Sequence, residues 1–332
     1  MLKGRRVIIL GVNSFAGICA MRMTLGAGMH VLGLSRSPEK PVFYRPDIVA
    51  SPEASYVFRQ RDINHDLDGI MEDVASFQPD YIIDLAAQSM VAESWRTPEH
   101  WYQTNIVAKA RLIEKLRTYS GLKKYVRVST PEVYGSTDNL IDENPFFRPS
   151  TPYAVSQAGF DMHLAICVKQ YGFPGVITRF SNFYGAGQQL YRIIPRTIIF
   201  GKLGQKLPLH GGGHSTRAFI YSDDIGRGLL ATLERGKAGE TYHFSTKKFI
   251  TIRALIEQIY AMMSVDFASA VDNVDDRPGK DNLYLMNDDK ARAELGWSDQ
   301  VSLDEGLQKT IEWVDRFWPS IAKEPLDYHH KP

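Results

Sequence analysis

The chain has 332 residues, 44% hydrophobic and 23% charged, enough to bury a sizeable core divided between two closely packed lobes. Lys and Arg number 39 against 38 Asp and Glu, which excludes a general positive field of the kind that gathers nucleic acid or anionic membrane. The apolar run Val7 to Val12 is too short for a membrane span or a signal-peptide core, so the expectation is a cytoplasmic protein.

Short β-rich runs alternate with helical patterns through the first half: Arg6 to Gly11, His30 to Leu34, Tyr56 to Arg61, Tyr81 to Leu85, Lys124 to Ser129 and Val176 to Phe180. The alternation predicts a parallel sheet with right-handed helical crossovers. Val7 to Leu10 and Tyr81 to Leu85 are nearly continuous in apolar residues, as strands covered by helices on both faces are. The expected fold class is α/β, a doubly wound parallel sheet. After Asn182 the rhythm breaks into Gly- and Pro-rich stretches with short helices between them, which reads as a smaller C-terminal α/β lobe for substrate. Thr241 to Phe244 reads as a strand returning to the first sheet. The expected division is therefore 1–180 plus about 220–247 against 181–219 plus about 248–332. Cys19 and Cys167 lack metal-ligand spacing and read as buried thiols in helices.

The first strand runs into Gly11-Val12-Asn13-Ser14-Phe15-Ala16-Gly17, and Ile18 to Leu25 then reads as a helix. Backbone N–H groups presented there, at a helix N-terminus, form a cradle for a dinucleotide's pyrophosphate, as in Rossmann folds. Ser14 stands where a fully glycine-rich turn has glycine, so the segment alone fits a tight structural turn equally well. The second strand ends in Ser35-Arg36-Ser37, without the carboxylate that holds an NAD ribose. An arginine and two hydroxyls there tilt the expectation toward NADP over NAD, although a solvated loop arginine has the same appearance. Asp62 and Ile63 are candidates to face the adenine, or a plain turn.

Two segments carry the chemistry. In Val128-Ser129-Thr130-Pro131-Glu132-Val133-Tyr134-Gly135, Thr130 and Glu132 emerge at the C-terminal edge of a buried strand, where open α/β sheets place ligands. Pro131 also allows a bland reading, a capped turn. In Pro152-Tyr153-Ala154-Val155-Ser156-Gln157, Tyr153 and Gln157 lie one turn apart on one helix face.

With these segments, and with Leu85-Ala86-Ala87-Gln88-Ser89, Thr104-Asn105-Ile106-Val107, Thr178 to Gly185, Arg217 to Asp224, Arg277 to Asp281 and Glu294 to Trp297, the chain resembles the extended short-chain dehydrogenase/reductases. Within that family it resembles the nucleotide-sugar 4,6-dehydratases acting on dTDP-glucose and GDP-mannose. The resemblance runs almost from end to end. It implies that Leu85, Ala86, Ala87, Ser89, Asn105, Ser129, Tyr153 and Gln157 face the cofactor. It implies further that Tyr153 is the acid/base at the sugar's 4-hydroxyl, that Thr130 hydrogen-bonds the 4-oxygen, and that Glu132 removes the C5 proton before water leaves C6. Ser89, Thr130, Asn182, Arg217 and Arg277 fall at nucleotide-sugar positions, and Arg192 and Arg196 are candidates to add charge there. The family forms dimers through the helix carrying the tyrosine, so a homodimer is implied, with Ala158, Phe160, Leu164 and Ala165 as an apolar face.

Two departures shape the expected chemistry. The family's lysine one turn after the tyrosine is Gln157, which can hydrogen-bond a ribose but brings no charge to favour tyrosinate. Turnover is therefore expected to be slower or displaced to higher pH unless another cation or the oxidised nicotinamide itself supplies the field. Pro131 stands where dTDP-glucose dehydratases have an aspartic acid that protonates the departing hydroxyl. Either Glu132 performs both transfers, or the outcome is 4-epimerisation, 4-oxidation or decarboxylation. A cofactor-binding protein without turnover is the reading of another class, favoured by Gln157 and Ser14. His210 to His214 read as a turn and no metal site is expected. The helix with Trp313 and Trp318 reads as packing of the C-terminal lobe.

Overall fold

A computed structural model describes residues 2–136, 139–275 and 285–331. Its main sheet has seven strands: β1 (Arg6–Leu10), β2 (His30–Ser35), β3 (Ser55–Gln60), β4 (Tyr81–Asp84), β5 (Lys124–Ser129), β6 (Gly175–Phe180) and β7 (Thr241–Phe244). The order is β3-β2-β1-β4-β5-β6-β7, and every pairing is parallel. Leu10 lies beside both Leu34 and Asp84, so the strand order reverses on either side of β1. A crevice opens at the carboxyl ends of the strands at such a switch point.

Alternate residues of the central strands are buried on opposite faces. Ile8, Leu10, Leu32, Leu34 and Ile82 pack with Leu112, Ile113, Phe160 and Leu164 on one side. Val7, Ile9, Val31 and Ile83 pack with Ile18, Met21, Leu25, Ile225 and Leu229 on the other. This two-sided burial explains the near-continuous apolar runs. The covering helices include α1 (Phe15–Gly26), α2 (Leu67–Phe77), α3 (Lys109–Leu116), α4 (Pro152–Tyr171) and α5 (Ser222–Arg235). The first helix starts at Phe15, three residues before the expected Ile18, because the Ser14 hydroxyl accepts the Gly17 N–H and caps it there.

The smaller lobe gathers a three-stranded sheet of Asn182–Tyr184, Thr216–Tyr221 and Phe249–Thr251 with the helices Ile193–Leu203, Ile252–Met262 and Leu303–Arg316. Its core joins Ile194, Ile198, Leu255, Ile259, Leu307 and Trp313, and the Trp313 indole donates to the Phe43 carbonyl at 2.7 Å. The aromatic-rich helix is thus internal packing. Cys19 and Cys167 are buried free thiols, and burial pushes Cys19 up to about 12. Among the described residues no helix is long and apolar enough to cross a membrane, and no group of three or more His, Cys, Asp or Glu is arranged to hold a metal ion. His210 to His214 form a turn through Gly211–Gly213.

Candidate active site

The turn after β1 is tight because two glycines leave no room for a side chain. Gly11 has φ +79°, and a Cβ there would meet the Ala86 nitrogen at 2.7 Å; one on Gly17 would meet the Gly11 carbonyl oxygen at 2.3 Å. Helix α1 therefore starts hard against the strand, its first N–H groups at the switch point. Asn13 clips the next loop in place. Its backbone N–H donates to the Ser35 hydroxyl at 3.1 Å, and its side-chain NH2 donates to the carbonyls of Ser37 and Pro38 at 3.0 and 2.8 Å.

A cavity of about 210 Å³ opens there. Gly11, Asn13, Ser14, Ser35, Arg36, Asp62, Ile63, Leu85, Ala86 and Ala87, all cofactor candidates of the sequence reading, line it. Lys40, Arg61, Gln88 and Thr104 line it too, which the sequence reading did not single out. Asp62 is both wall and turn, since its carboxylate accepts the Asn64 N–H at 2.8 Å. Phe15, Ala16 and Gly17 are buried in the packing of α1 and do not line the cavity, while Ser89 is exposed. Asn105 is fully buried in a π-helical turn, Gln103–Ala108. Its amide bonds both backbone groups of Gln88 and the Ser156 hydroxyl, all at 2.9 Å, so it braces the loop after β4 against α4. A larger cavity, about 790 Å³, lies between α1 and helix Leu303–Arg316 and contains none of the candidate residues.

At the neighbouring strand end, the bland and the chemical readings of Thr130 coexist. Its hydroxyl caps the short turn Pro131–Tyr134, accepting the Glu132 N–H at 3.3 Å with Pro131 at the first position. It also hydrogen-bonds the Tyr153 phenol. Thr151 caps α4 through the Ala154 N–H, and Pro152 occupies the first turn, so Tyr153 and Gln157 project from the start of a firmly anchored helix. Burial holds the Tyr153 phenol well above its ordinary value, with the Glu132 carboxylate raising it further; Thr130, Arg127 and Arg192 act in the opposite sense. Arg192 thus shares the site with the tyrosine, whereas Arg196 donates to the Leu326 carbonyl at 3.1 Å.

Beneath this edge lies a buried set of charges. Asp84 accepts from Lys109 and from the Tyr125 hydroxyl, each at 2.8 Å. Asp161 accepts from Ser129 at 2.5 Å and from Arg179 at 2.8 Å, with the Arg127 Nε 3.5 Å away. Arg127 donates to the Gln157 amide oxygen. Burial and the Arg127 charge pull the Lys109 ammonium down to about 8. Arg127 and Arg179 in their strands and Asp161 in α4 were missed because a buried charge carries no local sign of partners distant in sequence.

The Arg217 side chain is buried and donates to the Thr216 carbonyl at 2.8 Å, and Asn182 is half-buried in the adjoining strand. Arg277 lies outside the described residues. The last described segment crosses the cofactor cavity's edge: Arg36 and Gln88 donate to the Lys331 carbonyl at 2.9 and 2.8 Å, and His330 stacks on Trp101. Ala158, Phe160 and Leu164 pack inside their own chain, which corrects the expected docking face at those positions, while Ala165 is exposed. The outward apolar stripe of α4 is Val155, Met162 and Ile166, the last two 59% and 62% exposed.

Comparison with known proteins agrees with this geometry. The chain is 32% identical over 250 residues to a trifunctional UDP-glucose 4,6-dehydratase/3,5-epimerase/reductase of Arabidopsis thaliana, a match covering 73% of this chain and 37% of that protein's length. It is 33% identical over 289 residues to the dTDP-glucose 4,6-dehydratase of Shigella flexneri, covering 79% and 80%. The crystal structure of DesIV, a dTDP-glucose 4,6-dehydratase of Streptomyces venezuelae with NAD and TYD bound, superposes with a TM-score of 0.84 at 31% identity, covering 94% and 97%. Residues 8–310 match the family model described as GDP-mannose 4,6 dehydratase, and the chain belongs to that family of nucleotide-sugar enzymes within the extended short-chain dehydrogenase/reductases.

Proposed function

We propose that the protein is a nicotinamide-dependent nucleotide-sugar 4,6-dehydratase. The observation that carries this reading is the convergence of Thr130, Glu132 and Tyr153 at one strand end beside the dinucleotide-type turn. The glycine packing at Gly11 and Gly17 and the cavity's polar rim suit a dinucleotide. Bound there, a nicotinamide would accept hydride from C4 of the sugar and return it to C6.

The chain's own residues handle the protons. Tyr153 takes the proton of the 4-hydroxyl while Thr130 holds the oxygen, leaving a ketone that acidifies the C5–H. Glu132 removes that proton and delivers it to the departing 6-hydroxyl, which leaves as water. A proton then returns to C5, closing the count opened by the one Tyr153 took. Pro131 has no proton to give, so Glu132 serves twice. Pro131 also supports a second reading, in which C6 keeps its hydroxyl and the enzyme is a 4-epimerase or 4-dehydrogenase.

Asn182, Arg192, Arg217 and Arg277 are the residues proposed to hold the diphosphate and base, with Ser89 at the sugar side. We infer NADP over NAD because β2 ends in Ser35, Arg36 and Ser37 with Lys40 nearby, while Glu39 is paired with Arg45 at 2.6 Å. Residues 1–180 plus about 220–247 form the dinucleotide unit and 181–219 plus about 248–332 the nucleotide-sugar lobe. A second copy, covering Val155, Met162 and Ile166, makes a homodimer, and the cytoplasm is the proposed location.

Incubation with a panel of nucleotide sugars, following product mass, tests the reaction. Loss of water supports the dehydratase, unchanged mass with inverted stereochemistry the epimerase, and loss of two hydrogens the dehydrogenase. Cofactor binding with no turnover on any sugar would sink the enzyme reading. Parallel titrations with NADP and NAD test the cofactor preference; equal or tighter NAD binding overturns it.

A further inference from the structure

The tyrosinate that the proposed reaction needs lacks its usual support, because Gln157 stands where the family has lysine. The phenol is desolvated and faces the Glu132 carboxylate, both of which oppose ionisation. Besides the oxidised nicotinamide itself, compensating charge can come from elements packed around α4. Three meet the reacting region: Arg192 at the start of helix Ile193–Leu203, Thr130 as a neutral donor at the end of β5, and Arg127 within β5.

Arg127 is placed unlike a solvated arginine. It is 0% exposed, its backbone lies in the centre of the sheet, and its guanidinium faces Asp161 and Gln157 on α4, Asp84 on β4 and the Phe160 ring. Lys109 and Arg179 are the other cations of this set. Asp161 is shared with Arg179 and Ser129, and Asp84 with Lys109 and Tyr125, so neither carboxylate is devoted to Arg127. The Arg127 proton that reaches Gln157 enters its amide oxygen. This fixes the orientation of the amide, its oxygen held by the guanidinium and its NH2 turned to the other side. A hydrogen bond from a cation into the oxygen of an amide polarises it, and the positive charge on the far N–H groups grows.

We propose that Arg127 is a positioning residue for Tyr153, holding the Gln157 amide by its oxygen so that Arg127 and Gln157 together replace a lysine ammonium. The NH2 end takes the ribose contact, and the guanidinium behind it supplies the field. The proposal rests on the oxidation chemistry above for its kinetic assay and on cofactor affinity for an assay that needs no turnover.

The test compares the wild-type protein with Arg127→Leu, Gln157→Glu, Gln157→Lys and the double variant Arg127→Leu/Gln157→Lys. Cofactor affinity is read by fluorescence titration with NADP and NAD, and the pH profile by single-turnover hydride transfer with a sugar the wild type accepts. Arg127→Leu is expected to weaken cofactor binding and move the rising limb of the profile up by about 1 pH unit. Gln157→Glu keeps a partner for Arg127 and the packing volume but removes the NH2, so it should lose cofactor affinity and turnover despite staying folded. Gln157→Lys alone sets two cations together and should destabilise the fold, whereas the double variant should bring the limb back to the wild-type position or below.

A wild-type level of affinity and turnover in Gln157→Glu overturns the proposal. So does a double variant no better than Arg127→Leu, or a folded Arg127→Leu with unchanged limb and affinity. If Arg127→Leu does not fold, Gln157→Glu decides the matter alone. A wild-type protein that turns over no sugar fails the proposed function, and the cofactor affinities still judge Arg127.

Discussion

The two halves of the main sheet's carboxyl edge are built by opposite means. Under β1 and β2 the edge is made of turns: glycines without room for a Cβ, a serine capping a helix, an asparagine clipping a loop to its neighbour. Under β4, β5 and β6 it is made of charges buried by side chains far apart in sequence, with Asp84, Lys109, Arg127, Asp161 and Arg179 interlocked. The first half presents backbone N–H groups at the switch point. The second holds Tyr153, the proposed proton-transfer residue, in a low-dielectric setting, where each charge depends on its partners. A cofactor needs shape at its phosphates, and an acid/base needs a field.

That contrast can be broken by substitutions on either side. Tyr153→Phe should reduce turnover by about 10²–10⁴-fold with cofactor affinity preserved, measured by product formation and titration. Retained activity would remove Tyr153 from the chemistry. Lys109→Met leaves Asp84 short of its cation and should cost about 3–5 kcal/mol in denaturant unfolding, with loss of activity following loss of fold. A small effect would show the charges to be independent of one another. Gly17→Ala forces α1 away from the Gly11 carbonyl and should cost about 1–3 kcal/mol and weaken cofactor binding. The smallest effect belongs to Ser14→Ala, which removes one cap and should cost about 1 kcal/mol with catalysis unchanged once cofactor is saturating. In the wild type, turnover should rise with pH through the neutral range, because the phenol's proton is held above its ordinary value and the reactive form is the phenolate.

What could be read in the sequence follows the same division. The seven forecast strands lie within a residue or so of their observed positions, because two-sided burial leaves apolar runs that local patterning displays. The turn after β1 and the helix start at Tyr153 were readable because caps and glycines act on near neighbours. The π-helical turn that swings Asn105 under the loop after β4 was hidden, since its residues read as ordinary helix. Arg127 was hidden for a different reason: by alternation an arginine in a strand reads as outward-facing, and only the assembled fold brings residues 84, 157 and 161 around it. The expected docking face erred in the same way, because α4 is apolar on both sides and the sequence does not say which side its own sheet takes.

The segment ending at Lys331 sets a clock as well as a shape. On the proposed NADP reading, the Arg36 N–H that donates to the Lys331 carbonyl would have to leave it to serve a 2′-phosphate, which would link the residence time of this segment to that of the cofactor. Surface segments open locally far more often than cores do, and backbone amides record each opening. Hydrogen exchange at residues 327–331, slowed or hastened when the dinucleotide arrives, would time cofactor exchange in a protein that has met no sugar at all.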